Sequence, residues 1–170
     1  MPTIEVLPVK QDDASVLQQL VQFYLYDFSE FHPLEVNAHG LFTGVYLDRY
    51  WLDDHWTALL FRVDGAAAGF ALIRRGTPNH ERGAFEPELL NMVEFFVMRR
   101  YRRLGVGTAA AITCFRRFEG PWQLEVLDTN TAARTFWQKV IGQYTGDHYR
   151  IFPWTENAAS VFYFESPPKR

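Results

Sequence analysis

Four arginines occupy five consecutive positions (Arg99, Arg100, Arg102 and Arg103), and two alternate glycines, Gly105 and Gly107, follow after Leu104. The largely apolar run Leu89–Met98 precedes this cluster, and a stretch without charge reaches from Leu104 to Phe115 behind it. Such spacing predicts a strand, a basic turn and the start of a helix. Amides in the first turn of a helix lack intrahelical partners and carry the positive end of the dipole. Glycines let an anion approach that backbone closely, and guanidiniums add charge-assisted hydrogen bonds to phosphate oxygens. The chemistry favoured here is the holding of a diphosphate. A plain strand-to-helix turn would account for the glycines but not for the clustered arginines.

Two familiar phosphate motifs come close and do not fit. Gly105-x-Gly107-x-x-Ala110, with Glu125 twenty residues after Gly105, has the outline of a dinucleotide fingerprint. The turn Met98–Leu104 separates strand from glycine, however, and the 45 residues after Glu125 are too few for a doubly wound sheet. A P-loop needs Gly-Lys-Ser/Thr, which is absent.

The surrounding elements follow from periodicity and turn chemistry. Thr3–Val9 reads as a strand, and Asp12 or Asp13 then caps a helix whose apolar positions are Val16, Leu17, Leu20, Val21, Tyr24 and Leu25. Tyr26–Trp51 reads as a second short helix with irregular flanks. Trp56–Val63 and Ala66–Arg74 flank Asp64-Gly65 as a hairpin, and Arg75–Pro87 reads as a loop rich in glycine and proline. Leu89–Met98 is a strand, Gly105–Glu119 a helix broken by Gly120-Pro121, and Trp122–Leu127 a strand. Asn130 caps a helix running through Ile141 that Gly142 ends, and Tyr144–Phe152 and Ser160–Glu165 close the order as strands. The expected class is α/β, a mixed sheet with helices on both faces.

Composition bounds the rest. The 170 residues fit one domain, and 15 Phe, 8 Tyr and 5 Trp give ample surface for a core, which excludes disorder. The net charge of −3 hides an asymmetry: residues 1–60 hold nine acids and two bases, residues 61–170 eleven acids and fifteen bases. That balance argues against a nucleic-acid partner, with a basic-turn nucleic-acid module as the dissenting reading. No uncharged run is long enough for a membrane span. The start lacks a basic segment followed by an apolar one, and Cys114 stands alone, so a cytoplasmic protein without disulfides is expected.

Arg102-x-x-Gly105-x-Gly107 after an apolar strand ending in Val97 resembles the acetyl-CoA-binding motif of the GNAT superfamily of N-acetyltransferases. Leu124-Glu125-Val126, Asn130-Thr131-Ala132-Ala133, Phe136-Trp137 and Ile141-Gly142 are similar to the fifth strand and fourth helix of that family. The order of elements agrees over nearly the whole chain. The resemblance implies a single domain over residues 1–170 with a mostly antiparallel central sheet, splayed between its fourth and fifth strands. Residues 89–119 would form the strand-turn-helix for acetyl-CoA. The turn Arg102, Arg103, Leu104, Gly105, Val106, Gly107 and Thr108 would hold the pyrophosphate, Phe95, Phe96 and Val97 the pantetheine arm, and Asn130 a further cofactor contact. The activity implied is acetyl transfer to an amine without a metal; a non-catalytic acyl-CoA-binding or sensing domain is the alternative.

An amine nucleophile is protonated near neutral pH, so transfer needs a base. Glu94, charged within an apolar strand where burial raises a carboxylate's pKa, is one candidate. Glu125 is the other, and its position is similar to the catalytic glutamate of ribosomal-protein alanine acetyltransferases. Trp137 stands where many relatives have a tyrosine that protonates the leaving thiolate, so no general acid is assigned; Tyr101, Tyr144 and Tyr149 are the substitutes. His32, His39, His55, His80 and His148 show no ligand spacing, Cys114 reads as core, and no nucleophile elbow is present. Residues 24–51 would shape the acceptor site. Asp27 and Glu30 among their aromatic residues suggest a small cationic amine or a peptide amine as partner. The aromatic surplus would also suit a homodimer.

Overall fold

The computed structural model describes residues 2–166. Seven strands form one sheet: β1 (Ile4–Pro8), β2 (Trp56–Val63), β3 (Ala66–Pro78), β4 (Phe85–Val97), β5 (Gly120–Leu127), β6 (Tyr149–Trp154) and β7 (Ala159–Ser166). Their spatial order is β1-β2-β3-β4-β5-β7-β6, antiparallel throughout except for β4 beside β5. α3 (Val106–Arg117) and α4 (Thr131–Thr145) cover one face, where Phe115, Trp122, Val140 and Phe162 are fully buried. α1 (Ala14–Phe28) covers the other through Leu17, Leu20, Val21 and Leu25, packed on Leu60, Phe70, Leu72 and Phe96. This is the mixed sheet between helical layers that the order of elements implied.

Several boundaries differ from the sequence expectation. Arg75–Pro87 is not a long loop: β3 and β4 continue through it, pairing Thr77 with Glu86 and Pro78 with Phe85 beyond an irregularity after Arg75. Its glycines and prolines mark that irregularity and the tip. Asn79 closes the tip by accepting from the amides of Glu81 and Arg82 and donating to Glu86. α4 runs past Gly142 and ends at Gly146, whose φ of +64° suits the left-handed cap. β6 therefore starts at Tyr149 rather than Tyr144. Asp13 is the N-cap residue of α1, as expected, but its carboxylate makes no cap hydrogen bond and instead pairs with Arg62 at 2.9 Å. The helix expected within Tyr26–Trp51 is the single turn α2 (Arg49–Leu52), and Gln22 fastens the preceding segment by two hydrogen bonds to the Phe42 backbone.

β4 departs from regular pairing twice. Leu72 pairs with Glu94 while Ile73 pairs with Met92, so Val93 is an extra residue, a β-bulge. Leu90 and Met92 belong to the α3–α4 core, yet beyond the bulge it is Phe95 and Val97 that do, and Phe96 turns to α1. On its other edge, β4 pairs with β5 only over Leu90–Trp122, Asn91–Gln123 and Met92–Leu124, and the two strands then part.

Beside this region Gly69 lies directly against β4: a Cβ there would stand 2.1 Å from the Phe96 carbonyl oxygen, a backbone atom. Gly69→Ala is expected to lower the unfolding free energy by about 1–3 kcal/mol, read from the denaturant midpoint. An unchanged midpoint would show that the two strands can separate there at no cost.

Candidate active site

Where β4 and β5 part, a cavity of about 280 Å³ passes through the sheet. Tyr24 and Phe28 of α1 line one end and Ala133 and Trp137 of α4 the other, with Glu94 and Glu125 between them. No ladder pair joins Val93–Val97 to β5, so the backbone of Phe95, Phe96 and Val97 toward the gap is a strand edge without a strand partner, its Val97 carbonyl accepting from Arg102. Trp137 is buried edge-on to Phe95, with ring centroids 5.0 Å apart, and forms an apolar wall. Asn130 also lines the cavity, but its side chain caps α4 by accepting from the Ala133 amide at 3.0 Å.

The turn from β4 to α3 begins with a 3-10 turn at Arg99–Tyr101. Arg103 and Gly105 then both take positive φ, +63° and +80°. For arginine this conformation is costly, and strain of that kind gathers at ligand-holding turns. Gly105 is the N-cap of α3 without a side-chain cap, and Ala109 is the first amide to bond back, onto the Gly105 carbonyl. The amides of Val106, Gly107 and Thr108 precede it and have no intrahelical acceptor. A Cβ on Gly105 would meet nothing within 4 Å, so the space beside these amides is open. The four arginines divide. Arg99 and Arg102 clasp the Asp27 carboxylate at the end of α1, Arg99 at 2.8 Å, and Arg102 also donates to the Val97 carbonyl at 2.7 Å. Arg100 and Arg103 are exposed and make no ion pair among the described residues.

Glu94 and Glu125 share a face. The bulge turns Glu94 toward α1, and alternation along β5 sends Glu125 the same way, because Trp122, Leu124 and Val126 pack on α3 and α4. Burial pushes the Glu94 carboxyl up to about 7; the Tyr24 hydroxyl, which donates to Glu94 Oε2, draws it down, and the negative charge of Glu125 adds to the rise. Burial and the neighbouring Glu94 charge lift the Tyr24 phenol well above its ordinary value, so it remains a donor. Burial also raises Glu125, opposed by His80, whose Nε2 lies 2.6 Å from Glu125 Oε1. His80 in turn stacks on Trp154 at 4.1 Å between ring centroids. Tyr24 and His80 are the site residues that the sequence did not single out. Tyr24 looked like one more position on an apolar helix face, and His80 lies in the β3–β4 tip, 45 residues from its partner.

The expected acceptor acids lie elsewhere. Asp27 is held by the two arginines, which keep its carboxyl low against the opposing effect of burial, and Glu30 is exposed; neither lines the cavity. Nor do the three tyrosines considered as acids: Tyr144 is bonded to Ser166, Tyr149 stacks on Phe162, and Tyr101 packs at the core's edge.

Residues 19–143 match the Acetyltransferase (GNAT) family. The chain belongs to this family. Among solved structures, an acetyltransferase from Thermus thermophilus superposes with a TM-score of 0.68 at 16% identity, over 96% of this chain and 97% of that one. The PaiA N-acetyltransferase from Thermoplasma acidophilum, solved with coenzyme A, gives 0.62 at 9% identity, over 96% and 99%. The ribosomal-protein-S18-alanine N-acetyltransferase from Escherichia coli gives 0.57 at 14%, over 99% and 97%. At such identities the likeness establishes the fold. No curated protein matches the sequence. Family membership supports acetyl transfer with acetyl-CoA as donor, and the splayed GNAT sheet, open strand edge and uncapped helix start suit that donor's extended arm and diphosphate. Among the described residues no helix is long and apolar enough to cross a membrane.

Gly105→Val tests the cradle. It is expected to weaken acetyl-CoA binding at least tenfold by calorimetry, about 1.4 kcal/mol, while costing the fold only the strain of a positive φ. Undiminished affinity would place the diphosphate elsewhere.

Proposed function

We propose that this GNAT protein is an N-acetyltransferase that moves acetyl from acetyl-CoA to a primary amine by direct attack, with Glu94 as general base. The observation that carries the reading is the position of Glu94. It lies on the wall shared by the through-sheet cavity and a second, smaller one of about 90 Å³ beside α2. A donor entering from the α3–α4 side and an acceptor from the α1–α2 side would meet beside this carboxylate.

The turn amides, Arg103 and Arg100 bind the diphosphate, and the open edge of Phe95–Val97 pairs with the amide-bearing arm. Bound acetyl-CoA supplies the thioester: an N–C bond forms, the C–S bond breaks, and of the two protons the ammonium loses, one is released to solvent, which returns one to the departing sulfur. Glu94 takes the other proton, before attack. A base titrating near 7 is half ionised at neutral pH and strong enough to accept it, which is where general-base catalysis works best. Tyr24 holds the carboxylate in place, and His80 Nε2, 2.6 Å from Glu125 Oε1, fixes the second carboxyl on the acceptor face. Trp137 has no titratable proton, so the departing sulfur is protonated from solvent.

The pH dependence follows with a definite sign. Glu94 is protonated below about 7 and inactive as a base, so kcat falls as pH drops through that value. Glu94→Gln should remove this limb and lower kcat by about 10²–10⁴-fold, with acetyl-CoA binding retained. Tyr24→Phe removes a donor to the charged form, so the limb should move above 7. An unaltered profile in Glu94→Gln would assign the base to Glu125 instead. Tight acetyl-CoA binding without CoA release for any amine would favour a sensing domain.

A further inference from the structure

The smaller cavity is lined by Tyr46, Arg49, Tyr50, Trp56, Val93 and Glu94, together with the Gly44–Val45 backbone. Its lining carries one acid, Glu94, and one base, Arg49. The Arg49 guanidinium lies 5.6 Å from the Tyr46 ring centroid and 5.4 Å from that of Trp56. Arg74, from β3, takes the Trp56 ring at 5.0 Å. Arg62, Arg75, Arg82, Arg99, Arg102, Arg134 and Arg150 each have a carboxylate within ion-pair distance. Arg49 and Arg74, like Arg100, Arg103, Arg116 and Arg117, have none among the described residues, and neither the Arg49 nor the Arg74 side chain makes a hydrogen bond there. A guanidinium packed on aromatic faces keeps its in-plane N–H donors for a bidentate oxyanion.

Both guanidiniums pack on the Trp56 ring, Arg49 as part of the cavity lining and Arg74 from β3 beside it. Burial and the Glu94 charge raise the neighbouring Tyr50 phenol, and the charges of Arg49 and Arg74 oppose that rise. A carboxylate and a guanidinium in one lining, with a second guanidinium beside it on Trp56, complement a molecule with an ammonium and an anionic group a short chain apart. A simple polycation would meet Arg49 and Arg74 unfavourably. Asp27 and Glu30, the acids that suggested a cationic acceptor, lie outside this cavity too.

We infer that the acceptor is a compact aminocarboxylate, its amine at Glu94 and its carboxylate held by Arg49, which Tyr46 and Trp56 position, with Arg74 adding positive charge from beside Trp56. This rests on the acetyl-transfer reading and narrows its substrate class. It makes Arg49 and Arg74 specificity residues for a group that takes no part in the chemistry.

The test measures CoA release at saturating acetyl-CoA. Glycine, β-alanine and γ-aminobutyrate are each compared with the matching carboxamide, and spermidine is included as a polycation. The expected result is a kcat/KM at least tenfold higher for one or more aminocarboxylates than for the carboxamide and for spermidine. Arg49→Gln and Arg74→Gln should each reduce that preference about tenfold, chiefly through KM, the effect of losing a hydrogen bond to a charged group. Acetyl-CoA affinity serves as the check that each variant is folded. Turnover in which carboxamides or spermidine do as well, or a preference untouched by both substitutions, would overturn the acceptor assignment alone. No CoA release with any amine, despite acetyl-CoA binding, would overturn the acetyl-transfer reading and the acceptor class with it.

Discussion

The site depends on one extra residue in one strand. Val93 has no partner on β3, and inserting it reverses the facing of every side chain from Glu94 to Val97. Without the bulge Glu94 would follow Leu90 and Met92 into the layer of Ala110, Cys114 and Phe115, where a carboxylate has no partner and a high cost. With it, Glu94 meets the Tyr24 hydroxyl and joins Glu125 on the α1 face. The same disturbance comes just where β4 loses β5, after Met92 and Leu124. The facing of Glu94 thus follows from the bulge, and the open strand edge and through-sheet cavity from the parting of β4 and β5 beside it.

Burial then gives the carboxylate its chemistry. Two acids on one apolar face raise each other's cost of ionisation, and the structure offsets this unequally. Glu94 has a neutral phenol donor, whereas Glu125 has an imidazole that can carry charge. Burial raises both carboxyls, opposed at Glu94 by the phenol and at Glu125 by the imidazole. In the β4–α3 turn the arginine cluster is also divided. Arg99 and Arg102 fix the end of α1 to the β4–α3 turn through Asp27, and Arg100 and Arg103 remain available to an anion.

What could be read in the sequence was what local chemistry demands. A diphosphate needs glycines and cations next to a helix start, so Arg99–Gly107 stood out unaided, and the Asn130 cap followed from its place before Thr131. The bulge left no mark, because valine is an ordinary strand residue and only pairing with β3 shows it to be surplus. His80 reaches Glu125 through strand pairing across the β3–β4 hairpin, which glycine and proline composition disguises as a loop. Asp27 resembles an acceptor acid in the sequence because its partners come from 72 and 75 residues further along the chain. The charge balance of residues 1–60 is therefore a poor guide to the cavities, whose lining is decided by tertiary contacts.

Burial on the α1 face holds the Glu94 carboxyl near neutrality, and the proposed chemistry turns on that. Its ionisation can be followed directly by carboxyl carbon-13 chemical shifts, with Glu94→Gln identifying the resonance. The expected midpoint is at about 7, far above an ordinary glutamate. A midpoint in the ordinary range, roughly 4 to 5, would show Glu94 to be solvated, and would contradict both the bulge's role and its assignment as base.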